Sequence, residues 1–225
     1  MHELFSDELK KLNGRFMEMG INVSEQIYHA TQAFTKYDLK LSQEVIDEDS
    51  RINDEEIYLE KEALKLIALQ QPVATDFREI ISVLKASSDL ERIGDHAVNI
   101  AKEALNTGEQ KNDAQIERKI QSMADDIRKM LELTLDAYVV DDDQMVRKAA
   151  EKDLEIDSQY SSVRGMLTKS IEKHQTTAER GSSYLMVVRL LERIGDHIVN
   201  LAEWVVYNKS GKIVELNLGK IRHQQ

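Results

Sequence analysis

Apolar residues recur along this chain at three- and four-residue intervals, with charged residues filling the positions between. Leu90, Ile93, Ala97, Val98 and Ala101, for example, fall on one stripe of a helix. Breaks in this pattern divide the chain into six long helical stretches. The first runs from about Asp7 to Lys36 and ends at a weak break, Tyr37-Asp38-Leu39, where Asp38 is a candidate N-cap. The second runs to Gln70. Gln71-Pro72 ends it, because a proline excludes its predecessor from helix and suits the first turn of the next. The third runs to about Asn106 and stops at Thr107-Gly108. The fourth spans about Asn112 to Tyr138. Asp141, Asp142 and Asp143 offer caps for the fifth, which reaches His174. Thr176 with Glu179 reads as a capping box for the sixth, and Asn208-Lys209-Ser210-Gly211 ends it. The tail after it, Lys212 to Asn217, reads as extended or irregular.

The short connections force antiparallel neighbours. Stretches of roughly 30 residues make helices about 45 Å long. The predicted fold is all-α, with six long antiparallel helices forming two tandem three-helix bundles. A repeat supports that division. Leu90-Glu91-Arg92-Ile93-Gly94-Asp95-His96 recurs at Leu191–His197, and Val98, Asn99 and Ala101 recur at Val199, Asn200 and Ala202, all at an offset of 101. One period of that length indicates a duplicated, pseudo-twofold molecule rather than a solenoid of many units. The expected parts are a first repeat over 1–107, a second over 108–210 and a tail over 211–225.

Composition narrows the class. One proline and nine glycines are few breakers for 225 residues, and the helix-favouring residues dominate. The net charge of −11 disfavours nucleic acid and anionic lipid and favours cations or a basic partner surface. There is no cysteine, so disulfides and thiolate metal sites are excluded. The N-terminus lacks an apolar signal-peptide core, and no uncharged apolar run approaches the roughly 18–20 residues that span a bilayer. A cytoplasmic protein that meets membranes only through partners is expected. A P-loop, a dinucleotide glycine fingerprint, a nucleophile elbow and the Glu-x-x-His pairs of di-iron bundles are all missing.

The repeated segment carries the candidate chemistry. Glu91 and Asp95 are four residues apart and share one helical face, and Asn99 extends the row by a turn. Glu192, Asp196 and Asn200 form the second copy. Such a row borders the apolar stripe, and its like charges repel, a cost that a cation would remove. Gly94 is costly in mid-helix and points to close approach by another backbone or a bulky ligand. A single acid pair at this spacing is usually a solvated face. Two copies in matching contexts weigh more, although a duplicated packing surface would also produce them. Asp49, Asn53, Glu56 and Glu60 form a second oxygen-bearing row, with Asp153 and Asp157 as its counterpart in the other half. For Glu56 and Glu60 a solvated acidic face is as good a reading. Antiparallel packing would bring the rows together into an oxygen-rich cluster suited to Mg²⁺ or Mn²⁺, with iron also open. His96 and His197 lie about 100° round the helix from the acids; they are expected to rim the site or contact a partner. Arg92 and Arg193 are expected to neutralise the acidic face and to border the partner surface.

These repeats, with Gln71-Pro72-Val73-Ala74-Thr75-Asp76-Phe77-Arg78, Val45-Ile46-Asp47-Glu48-Asp49, Ile52-Asn53 and Gly211-Lys212-Ile213-Val214, resemble the PhoU family of phosphate-transport regulators over nearly the whole chain. The resemblance implies a cytoplasmic negative regulator rather than an enzyme. Its partners would be the ATPase of the phosphate ABC transporter and a phosphate-responsive sensor histidine kinase. It also implies carboxylate-bound metal, with iron clusters, zinc and other divalent ions associated with the family. The positions carried over are Glu91 and Asp95, Glu192 and Asp196, with Asp49, Asn53, Asp153 and Asp157 opposite; Asn99 and Asn200 are added from helical spacing alone. The second half lacks a counterpart of Gln71-Pro72 and Asp76-Phe77-Arg78. Asn53 against Asp157 makes the two sites unequal, so tighter binding of hard cations is expected in the second half. The long amphipathic helices permit a homodimer. Two alternatives stand beside the adaptor: a metal-dependent enzyme with a multinuclear carboxylate site, and a purely structural helical interaction module.

Overall fold

A computed structural model describes residues 2–106, 113–140 and 143–217. Among these residues every regular element is helical: α1 (His2–Lys36), α2 (Leu39–Asp47), α3 (Asp49–Gln70), α4 (Ala74–Asn106), α5 (Ala114–Val140), α6 (Asp143–Glu172) and α7 (Ala178–Ser210). The six-helix plan holds, with the second helix bent into α2 and α3. At the bend Glu48 stays in the right-handed region (φ −78°, ψ −9°), but Arg51 N–H closes a tight turn onto the Glu48 carbonyl at 3.0 Å. Asp47, Asp49 and Ser50 surround it, and these residues compete with helix by bonding nearby backbone.

The helix ends follow local chemistry. Asp38 caps α2 as expected, its Oδ1 accepting from Leu41 N–H at 3.0 Å. Asp113 caps α5 by accepting from the N–H groups of Gln115 and Ile116. The expected capping box at Thr176 is shifted by one residue. Thr177 is the cap, accepting from Arg180 N–H at 3.1 Å, and the Glu179 register is lost. Thr176 is instead buried, 2.8 Å from the Ser170 hydroxyl. Gln71 ends α3 in the left-handed region, and α4 begins at Ala74, so Pro72 lies in the connection and not in the first turn of α4. Gly211 ends α7 with φ +70°, where a side chain would be strained. The expected signals at Thr107-Gly108, Asn112 and Asp141-Asp142 lie outside the described residues.

The repeated helices α4 and α7 make the most extensive helix–helix contact among the described residues. Leu90, Ile93 and Ala97 of α4 and Leu191, Ile194 and Ile198 of α7 are fully buried in one apolar cluster, to which both repeats contribute. Each buried Leu or Ile side chain is worth about 1.5–3 kcal/mol of transfer free energy. The cross-repeat rings Phe34–Tyr184 (5.9 Å) and Phe16–Tyr138 (5.2 Å) add to this seam. The Gln71–Arg78 segment works at one end of the seam. Arg78 Nε donates to the Asn208 carbonyl at 3.3 Å, so the start of α4 holds the last turn of α7. A guanidinium suits a helix C-terminus, where carbonyls lack partners and the dipole is negative.

Candidate functional site

Packing of α3 against α4 brings the first pair of rows together. Burial raises the Asp49 carboxyl above the usual range, and the charge of Asp95 across the helix interface raises it further; Lys102 opposes. Glu91 is raised likewise, by burial first, then by Asp95, with Glu56 and Asp49 adding to the effect. Arg92 partly offsets this by reaching Glu91 at 3.5 Å and Asp95 at 3.4 Å, as its sequence position implied. Asp49 Oδ1 and Asn53 Oδ1 are buried without a hydrogen-bond partner. Asn99 and Glu60 are exposed. Gly94 is explained by a neighbouring side chain rather than a backbone: a Cβ there would meet Gln26 Oε1 at 3.0 Å and Ile52 Cγ2 at 3.3 Å. Gln26, on α1, has neither amide atom hydrogen-bonded and faces a cavity of about 140 Å³ with Glu25, His29 and Glu48.

The second half repeats the geometry with different partners. Glu192 is raised by burial, with Asp196 and Asp157 adding to this and Arg189 opposing. Arg189 Nη1 donates to Glu192 Oε1 at 3.0 Å, while Glu192 Oε2 is buried and unpartnered. Arg193, expected in that role, is exposed. Asp153 is 3% exposed, and its Oδ1 would lie 2.8 Å from a Cβ at Gly195. Asp196 Oδ1 accepts from the side-chain amide of Asn217, at 2.8 Å, in the tail.

The two histidines meet between the rows. His96 and His197 have ring centroids 5.5 Å apart. His197 Nδ1 pairs with Asp89 Oδ1 at 2.9 Å, and Asn200 donates to the same oxygen at 3.2 Å. Asn200, added to the second row from spacing, therefore binds an α4 carboxylate across the seam. His96 Nδ1 is buried without a partner, and burial, then His197 and Arg193, lower its pKa to about 4. A groove of about 480 Å³ runs beside this cluster, lined in part by Glu56, Asp89, Arg92, His197 and Trp204. So of the four side chains assigned to partner contact, the arginines face solvent and the histidines are half-buried against each other.

Sequence reasoning missed Asp89, Arg189, Gln26 and Asn217. The first two occur where the copies differ: Asp89 aligns with Leu190 and Arg189 with Ser88 at the repeat offset. A scan for differences within the repeat would have marked both.

Among the described residues, no group of three or more His, Cys, Asp or Glu side chains is arranged to hold a metal ion. The donor chemistry nevertheless fits a hard cation completed by amide oxygens or water. Unpartnered oxygens at Asp49, Asn53 and Glu192 sit among carboxyls that burial and mutual repulsion have raised. A cation would relieve both costs. Also among these residues, no helix is long and apolar enough to cross a membrane.

Comparison with known proteins gives a consistent result. The PhoU domain family model matches residues 16–104 and 120–205. The phosphate-specific transport system accessory protein PhoU homolog of Clostridium acetobutylicum is 34% identical over 218 residues, covering 96% of this chain and 98% of that protein. Its Streptococcus pneumoniae counterpart is 32% identical over 217 residues, covering 96% of this chain and all of that protein. The crystal structure of the phosphate transport system regulatory protein PhoU from S. pneumoniae matches with a TM-score of 0.86 at 31% identity, covering 94% of this chain and 99% of that one. PhoU from Pseudomonas aeruginosa matches with a TM-score of 0.86 at 31% identity, covering 92% and 100%.

Proposed function

The chain belongs to the PhoU family, and from that premise we propose that it regulates phosphate transport as a cation-binding adaptor. Its relatives are named accessory or regulatory proteins of the phosphate-specific transport system, which implies a binding role rather than turnover. The finer reading is a cytoplasmic negative regulator that links the transporter ATPase to a phosphate-responsive sensor histidine kinase, as a homodimer. The observation that carries the cation part is the set of buried, unpartnered oxygens on converging acidic rows. Glu91, Asp95, Asp49 and Asn53 would hold one ion; Glu192, Asp196, Asp153 and Asp157 would hold another. Bound there, a divalent or iron-type ion supplies positive charge. It also offers the only attraction these rows could have for phosphate, which bare carboxylates repel.

Regulation then needs a cation or phosphate state that binds one partner-facing conformation better than another. A docking face is at hand. Val73 (75% exposed) and Leu69 flank the α3–α4 turn, Phe77 follows on α4, and exposed Ile213 lies just past Gly211, beside Arg78. Exposed apolar residues in a group commonly mark a protein contact.

Pull-down of the transporter ATPase and the kinase under high phosphate tests the adaptor reading. Capture is expected from the cation-loaded chain, with loss on Val73→Asp or on Arg92→Glu with Arg193→Glu. Failure to capture either partner refutes it.

A further inference from the structure

The two acidic rows differ about two turns beyond Asp95 and Asp196. Lys102 in α4 aligns with Glu203 in α7 at the repeat offset. The first row therefore has its own cation, and Lys102 opposes the rise that burial and Asp95 impose on the Asp49 carboxyl. The second row has another carboxylate in that place. Its charge is answered from the tail. Leu216 N–H donates to Glu203 Oε1 at 2.7 Å, and the Asn217 side chain donates to Asp196 Oδ1 at 2.8 Å. Asn217 is only 4% exposed, and Leu216 packs against the main apolar cluster, so the end of the segment is seated and not merely adjacent.

We propose that the tail segment 212–217 is a built-in occupant of the second acidic row, and that tail docking and cation binding at Glu192 and Asp196 exclude each other. The inference rests on the cation reading above. Two N–H donors perform in part the task of a cation, placing positive partial charge on two carboxylates of one helix face. A hard cation needs the carboxylate lone pairs and room for its waters. The buried Asn217 side chain takes one of those lone pairs on Asp196 and occupies space beside that carboxylate. Cation entry then releases the tail, and tail release exposes Leu216 beside the apolar end that carries Ile213. The second row thus reports its occupancy as a change in an exposed apolar segment, which the first row lacks the means to do.

The test uses Mn²⁺ and the full chain. Backbone amide exchange at 212–217 is measured with and without Mn²⁺, and Mn²⁺ binding is titrated in Asn217→Ala. The first row is silenced for the titration by Glu91→Gln with Asp95→Asn. Faster exchange at Leu216 and Asn217 on adding Mn²⁺ is expected. So is binding about fivefold tighter in Asn217→Ala, the net worth of one hydrogen bond. Slower or unchanged exchange with Mn²⁺ bound, or weaker binding in Asn217→Ala, overturns the proposal and makes Asn217 a supporting donor instead. A second row that stays silent in Asn217→Ala, while the first row binds Mn²⁺ in Glu192→Gln with Asp196→Asn, overturns this inference alone. Absence of Mn²⁺ from both rows overturns the cation reading with it.

Discussion

In the first half Arg92 reaches both motif carboxylates, and Lys102 follows Asp95 by about two turns in α4. In the second half Arg189 holds Glu192, Asn217 holds Asp196, and a tail N–H holds Glu203. The motif is the same in both copies, while the groups that neutralise it come from different places. The acidic row is present in duplicate, and its electrostatic surroundings differ. The same contrast recurs deeper in the bundle. Asn13 on α1 donates to Glu79 on α4, a pairing of amide and carboxylate. In the second half Arg180, which stands where Glu79 does at the repeat offset, pairs instead with Glu117 on α5, an ion pair at 3.2 Å with Arg180 1% exposed and lying over the rings of Phe34 and Tyr184.

That deep pair offers the largest test of the comparison. Arg180→Ala takes the cation from the mostly buried Glu117 carboxylate, which keeps the hydrogen bond from the Tyr184 hydroxyl, and should cost about 3 kcal/mol in urea unfolding. Asn13→Ala at the first-half counterpart should cost about 1 kcal/mol. Equal losses would mean that the halves share more than their geometry suggests.

The repeat glycines come next. In Gly195→Ala the added Cβ would press on the buried Asp153 carboxylate at 2.8 Å, whereas in Gly94→Ala it would meet the end of the more flexible Gln26 side chain at 3.0 Å. Overpacking costs about 1–3 kcal/mol and the alanine returns about 1 kcal/mol of helix propensity. Net destabilisation by Gly195→Ala of about 1–2 kcal/mol and near-neutrality of Gly94→Ala follow. A larger loss for Gly94→Ala would place the tighter contact in the wrong half.

The smallest effects appear in the pH dependence of Tm with chelator present. Asp49, Glu91 and Glu192 have folded pKa values raised above the unfolded ones, by burial first. Their contribution is fully present below the unfolded values and is lost as pH rises through the folded ones. Glu91→Gln and Glu192→Gln should therefore raise Tm more at pH 7.5 than at pH 4. His96 has the opposite linkage. Its folded pKa of about 4 lies below the ordinary value, so stability falls as pH drops from about 6.5 toward 4. His96→Gln should spare the chain that loss. An unchanged slope in this variant would show that His96 is not held neutral at the seam.

Much of this was legible because it is local. The six-helix plan follows from apolar periodicity, and Asp38 carries its cap in its own side chain. The duplicated motif needs only self-comparison. The bend at Glu48 was missed because a weak helix segment looks the same whether it bends or not. Thr176 and Thr177 compete for one cap, and burial of Thr176 against Ser170 settles it by a contact between helices. The tail's partners were invisible for a different reason. One of its donors is a backbone N–H, which every residue but proline carries, so nothing in Lys212–Asn217 marks where it docks. The reason for Gly94 was readable as a close approach, but the approaching group, Gln26, comes from α1 and only the packing names it.

The central claim is that both acidic rows bind cations and do so unequally. Charge alone favours the second row, since Asp157 stands where the first has Asn53; the docked tail opposes that advantage. Mn²⁺ titration of the wild-type chain beside Glu91→Gln with Asp95→Asn, and beside Glu192→Gln with Asp196→Asn, tests it directly. Two distinguishable sites are expected in the wild type, each abolished by its own pair of substitutions and unaffected by the other. No saturable binding, or binding that survives in both variants unchanged, would contradict it.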